Sequence, residues 1–158
     1  MANYTAADVK ALRERSGAGM MDCKNALDEA EGNVDKALEL LRLKGLKGVT
    51  KREGRTTSNG LIVARVSGNT GWLFELACET DFVAKADKFV SLAEKIADAA
   101  VAAGAATLEE ALAANLDGKT VADAINDEAA IMGEKVELRR MAVVKGDAVD
   151  AYMHRTSK

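Results

Sequence analysis

Glu75-Leu76-Ala77-Cys78-Glu79-Thr80-Asp81-Phe82-Val83-Ala84-Lys85 changes its pattern half-way, and the fold is read from that change. From Trp72 the residues have strand character, which ends near Cys78. From Phe82 onward Ala86, Phe89, Ala93, Ile96 and Ala100 recur at helical spacing, one apolar stripe on a long alanine-rich helix. Thr80 and Asp81 stand where the helix N-cap belongs, since both side chains can accept bonds from unpaired backbone N–H groups. Two readings of this corner stand side by side. Either Asp81 caps and Phe82 is the first core residue of the helix, or a carboxylate and a phenylalanine are held out from the surface on a stiff support.

Working outward, Leu61-Ile62-Val63-Ala64-Arg65-Val66 and Gly71-Trp72-Leu73-Phe74-Glu75-Leu76-Ala77-Cys78 flank Ser67-Gly68-Asn69-Thr70, which predicts a β-hairpin. Downstream, Thr107-Leu108-Glu109-Glu110 has capping-box spacing and predicts a short helix from Leu108. Leu116-Asp117-Gly118-Lys119 is a turn. Thr120 then caps a helix carrying Val121, Ala124, Ile125 and Ile131, which Gly133 stops. Val136–Val144 returns to strand character and can add a third strand to the hairpin. Gly146-Asp147 turns the chain, and Ala148–His154 is expected to begin another strand, leaving an open edge there that could self-associate.

Upstream, Thr5 opens a helix with Val9 and Leu12 inward, and Ser16-Gly17-Ala18-Gly19 breaks it with two glycines free to take positive φ. A second helix from Met20 carries Cys23, Ala26, Leu27 and Ala30 as its inner stripe. Asn33 caps a third, with Val34, Ala37, Leu38 and Leu41 on one face. The fold class is therefore α+β: an N-terminal three-helix bundle of ubiquitin-associated type, followed by an antiparallel sheet with packed helices. The expected division is a three-helix domain over 1–44, a basic glycine-containing linker with room for some helix over 45–58, and an incomplete α+β core subdomain over 59–158.

Composition narrows the function classes. Hydrophobic residues at 48% and charged residues at 30% suit a soluble globular chain, and a net charge of −3 argues against broad electrostatic binding to nucleic acid or an anionic membrane. No apolar run approaches the roughly 20 residues that span a bilayer. Met1-Ala2-Asn3-Tyr4 leads straight into a helical pattern with no signal segment, so a cytoplasmic location is expected. Cys23 and Cys78 lie far apart without CxxC partners and are expected as buried free thiols. His154 is the lone histidine, and the carboxylates of Glu75, Glu79, Glu109 and Glu110 fall on different elements with no base or nucleophile nearby. The sequence thus offers no catalytic set, no metal site and no cofactor motif. Gly17-Ala18-Gly19 has neither the preceding strand nor the following Gly-Lys-Ser/Thr of a phosphate loop.

Met20-Met21 is more informative, because two successive residues of a helix cannot both face inward; an exposed methionine there makes an adaptable protein contact. The basic run from Lys44 to Arg55 reads as a solvated tether, with an acidic partner or RNA as the functional alternative.

Two motifs carry a resemblance. Leu12-Arg13-Glu14-Arg15-Ser16-Gly17-Ala18-Gly19-Met20-Met21-Asp22-Cys23-Lys24-Asn25-Ala26-Leu27 resembles the N-terminal signature of the bacterial translation elongation factor Ts family. Glu75–Lys85, centred on Thr80-Asp81-Phe82-Val83, resembles its second signature. Order and separation also match, and the likeness runs from Met1 through Val144. Ala77 departs from the asparagine common in the family. The resemblance implies a guanine-nucleotide exchange factor that binds elongation factor Tu and no enzyme. Arg13, Met20 and Met21 would rest on the partner's GTPase domain. Asp81 and Phe82, with Thr80 and Val83 beside them, would reach between two of its helices and disturb the magnesium site. It also moves Phe82 from core residue toward exposed wedge. Family members continue beyond this length, so a truncated chain with weaker partner binding is the expectation. The competing classes are a ubiquitin-associated-like interaction module and an RNA- or ribosome-binding domain acting through the basic run.

Overall fold

Thr5 begins the first helix by a reciprocal cap: its side chain accepts from Asp8 N–H, and Asp8 accepts from Thr5 N–H at 2.7 Å. This helix, α1 (Ala6–Ser16), ends at Gly17, whose φ of +68° lets its N–H turn back to the Arg13 carbonyl. Gly19, by contrast, is extended and heads α2 (Met20–Glu29), so the reversal uses positive φ at only one of the two glycines. Asn33 accepts from Lys36 N–H and starts α3 (Val34–Arg52). Val9, Leu12, Cys23, Ala26, Leu27, Ala30, Ala37 and Leu41 close around one another as a first core. The computed structural model describes residues 3–154; Met1, Ala2 and the last four residues lie outside that range.

The third helix takes in most of the basic segment. Residues 45–52 continue α3 without a break, and only the short stretch from Glu53 to Ser58 connects to the sheet. The segment lacks apolar surface for a core of its own, but it packs on a neighbour. A Cβ at Gly45 would lie 2.7 Å from Ala130 Cβ, and Arg52 Nη1 donates to the Ala129 carbonyl at 3.5 Å. Glycine at 45 is what lets the two helices approach so closely.

The sheet follows as expected. β1 (Asn59–Ser67) and β2 (Thr70–Cys78) form the hairpin, with Ser67 opposite Thr70, and β5 (Val136–Lys145) pairs antiparallel with β2 in the order β1-β2-β5. A bulge opposite Glu75/Leu76 brings Arg139 and Arg140 onto the same side as the Glu75 carboxylate, and both pair with it. Between β2 and β5 run α4 (Asp81–Ala84), α5 (Asp87–Ala102), α6 (Leu108–Ala113), the small ladder β3–β4 (Asn115–Leu116, Lys119–Thr120) and α7 (Val121–Met132). The inward side chains of the sheet, Val63, Phe74, Leu76 and Leu138, meet Phe89, Ile96, Ala97, Ala100 and Ile125 in a second, alanine-rich core. The fold is α+β.

Two further expectations change. The Thr107 cap forms, but Glu110 reaches Ala106 N–H at 2.7 Å rather than closing the box on Thr107. No strand forms between Ala148 and His154; β5 ends at Lys145, and Val149 folds back against Gly71. The unpaired sheet edges are therefore those of β1 and β5. Cys23 and Cys78 are buried free thiols.

Candidate functional site: the corner at Thr80–Val83

At the end of β2 the expected single helix is two. Thr80, not Asp81, is the N-cap, accepting from Val83 N–H at 3.4 Å, and α4 runs for only four residues before Lys85 and Ala86 break it. The interruption takes Phe82 out of the stripe that Phe89, Ala93, Ile96 and Ala100 continue. Phe82 is 85% exposed, which overturns its reading as the first core residue. Val83, one position on, packs against the core instead. Asp81 points outward and is bonded by Lys85 Nζ at 2.8 Å. That bond and its charge hold the Asp81 carboxyl below the usual carboxylate range, so it is ionised at neutral pH.

The support beneath the corner comes from residues far away in sequence. Glu134, just past the αL glycine that ends α7, accepts Glu79 N–H at 3.1 Å and Thr80 N–H at 3.0 Å on one oxygen, and the Thr80 hydroxyl at 2.5 Å on the other. Glu79 turns the other way. Its carboxylate accepts Lys135 N–H at 2.7 Å and Arg55 Nη1 at 3.3 Å, which lowers its pKa, while Asn59 Nδ2 donates to its carbonyl at 2.9 Å. Below them Cys78 is fully buried, with its thiol 3.2 Å from the Thr80 carbonyl; burial, and then the Glu134 charge, push it up to about 11. The arrangement is a rigid pedestal carrying an exposed aromatic ring beside a fixed negative charge. It holds no nucleophile–base pair and, among the described residues, no metal-ligating cluster.

Sequence reasoning named Thr80, Asp81, Phe82 and Val83 but missed Glu134, Asn59 and the bracing role of Glu79. Only the Gly133-Glu134 step after an apolar helix hinted at a carboxylate beside a chain reversal. The second set of expected residues lies on the three-helix bundle. Arg13 is exposed on α1 and lines a shallow groove with Lys10, Glu14, Gly17 and Lys88, the last of these on the first turn of α5. Met20 and Met21 are 50% and 64% exposed, so neither faces inward, because Cys23, Ala26 and Leu27 already fill that face of α2. Among the described residues no hydrogen bond joins Arg13, Met20 or Met21 to the corner.

The family model for elongation factor TS matches residues 79–158, starting at this corner. The chain belongs to the elongation factor Ts family. Over its whole length it is 60% identical to the elongation factor Ts of Paenarthrobacter aurescens and 58% identical to that of Micrococcus luteus, covering 57% of each. The elongation factor Ts of Leifsonia xyli is 58% identical over 159 residues, again with the whole chain covered and 58% of the relative. The chain thus spans well under two thirds of the length of the relatives it matches. No described helix is long and apolar enough to cross a membrane.

Proposed function

We propose that this member of the elongation factor Ts family acts in translation as a guanine-nucleotide exchange factor, binding the GTPase domain of elongation factor Tu and promoting GDP release. The observation that carries the reading is Phe82, 85% exposed at the tip of a four-residue helix braced from three sides. An exposed aromatic ring on a stiff mount can enter a packed interface without losing much conformational entropy on binding. Phe82 wedges between partner helices, while ionised Asp81 perturbs the groups that hold Mg²⁺ there. Mg²⁺ ties nucleotide phosphates to the protein, so weakening its site removes much of the attraction for GDP. Linkage completes the mechanism: a factor that prefers the nucleotide-free form must weaken nucleotide by the same ratio. Arg13, Met20 and Met21 supply a second contact, methionine adapting to the partner surface. No bond is made or broken in this chain, so it is not an enzyme, and it works in the cytoplasm where its partner is.

RNA binding through the basic run is the weaker reading: Lys44, Arg52 and Arg55 are engaged with Asp22, the Ala129 carbonyl and Glu79, which leaves Lys47 and Lys51 as its outward cations on a chain of net charge −3. The deciding experiment follows release of fluorescent GDP from elongation factor Tu by stopped flow, with no addition, the parent chain, Phe82→Ala and Asp81→Ala. Acceleration by the parent, lost in folded variants, is the expected result. A parent chain that binds the partner and leaves the release rate unchanged would sink the proposal.

A further inference from the structure

The apolar stripe from Phe82 to Ala100 is continuous in sequence, but the helix is not. Ala86 is extended at φ −70°, ψ 136°, and no side chain caps α5. Neither proline nor glycine occurs between Asp81 and Ala102, and alanine and lysine favour helix, so local propensity would join α4 to α5. The break must come from tertiary anchors on either side. Downstream, Phe89, Leu92 and Ala93 fix α5 in the core. Upstream, the chain is held at Glu79 and Thr80, and the group that holds both is Glu134.

We infer that Glu134 is a positioning residue for nucleotide exchange: by gathering Glu79 N–H, Thr80 N–H and the Thr80 hydroxyl, its carboxylate holds α4 off the line of α5. Phe82 is thereby kept out of the stripe that its spacing would otherwise give it. The functional half rests on the exchange reading; the structural half rests on the hydrogen bonds alone. A carboxylate suits the task because it only accepts, and it meets three donors with two oxygens. Glutamine retains one oxygen for the two backbone N–H groups and turns its amide toward the hydroxyl, so it preserves most of the clamp. Alanine leaves three donors without their partner. Glu134 acts through Thr80 and needs no contact with the partner itself.

The test uses the whole chain labelled with fluorophenylalanine. Its three phenylalanines are Phe74 and Phe89, both buried, and Phe82, so an exposed fluorine signal reports the corner. Circular dichroism and emission of the single Trp72 report folding independently. With Glu134→Ala the Phe82 signal is expected to shift toward a buried environment, and the maximal acceleration of GDP release to fall at least about tenfold. With Glu134→Gln the signal stays exposed and release stays within about threefold of the parent. A folded Glu134→Ala chain with an unmoved Phe82 signal overturns the inference, whatever its exchange rate. If the alanine variant does not fold, Glu134→Asp, which keeps the charge but withdraws the carboxylate by one methylene from all three donors, must move the Phe82 signal; an unmoved signal is then the refutation. A parent chain that accelerates nothing refutes the exchange reading and the functional half with it, while the fluorine spectra still decide the positional half.

Discussion

Phe82 and Phe89 lie seven residues apart on one sequence stripe, and the structure gives them opposite fates, so truncating each should separate core from wedge. Phe82 is 85% exposed and Phe89 is fully buried. A phenylalanine side chain presents about 200 Å². With about 15% of it covered, Phe82→Ala forfeits about 30 Å² of burial, or about 0.8 kcal/mol at 25 cal/mol per Å². Alanine returns about 0.5 kcal/mol through better helix propensity. The net change is a few tenths of a kcal/mol, a melting shift within about 1 °C for a chain of this size. Phe89→Ala opens a cavity in the alanine-rich core and should cost about 3–5 kcal/mol, roughly 10 °C. The assay is thermal unfolding followed by circular dichroism and Trp72 emission in one buffer for all three chains. A Phe82→Ala chain that melts more than about 5 °C below the parent would put Phe82 back in the core and refute the wedge geometry.

Gly45→Ala distinguishes a loose tether from a packed helix. In an exposed helix it would gain up to about 1 kcal/mol, but here the new methyl would lie 2.7 Å from Ala130 Cβ, so a lower melting temperature is expected. Gly17→Ala should cost about 1–3 kcal/mol by denaturant titration, because φ is +68° and the Cβ would meet Ile131 Cγ2 at 2.7 Å. The Glu79 carboxyl is held below its ordinary pKa in the folded state, so its contribution is complete above about pH 4.3 and is lost as pH falls through the folded value. Glu79→Gln should therefore flatten part of the acid limb of melting temperature against pH; an unchanged limb would remove Glu79 from the bracing scheme. Cys78, pushed up to about 11 and fully buried, should resist thiol reagents at pH 8 in the native state and react only on unfolding. Its contribution to stability is intact below about pH 8.5 and declines as pH rises toward the folded value.

The elements that were legible in the sequence are those whose signals are local. Thr5, Asn33, Thr107 and Thr120 each cap the helix their spacing announced, and Ser67-Gly68-Asn69-Thr70 closes the expected hairpin. A cap needs only residues three positions apart, and a two-residue turn only its own dihedrals, so no distant partner can alter the reading. The packing of the basic stretch after Lys44 was not legible, for the complementary reason. Its glycines and lysines look like a tether because the surface they pack on belongs to α7, 77 residues away for the Arg52–Ala129 contact. Glycine at a close helix crossing and glycine in a flexible linker are indistinguishable until the neighbour is known.

The corner shows the same limit in its sharpest form. Periodicity assigned Phe82 to the core because it counts spacing along one continuous axis, and the axis is bent between Ala84 and Asp87. Local propensity in residues 81–102 does not set that bend; it is imposed by Phe89, Leu92 and Ala93 seating α5 in the core and by Glu134, Lys135, Arg55 and Asn59 holding Glu79 and Thr80. A motif can therefore mark where a site lies while periodicity misplaces its principal side chain. The segment has two competing arrangements. In one, local propensity draws Phe82 into the stripe; in the other, long-range hydrogen bonds to Thr80 and Glu79 hold it out. Leaving a phenylalanine exposed forgoes the roughly 1.5–3 kcal/mol that full burial of its side chain would contribute. The fold keeps this one exposed by fixing the backbone beneath it rather than by packing the ring, which leaves the ring free to spend its apolar surface on a partner.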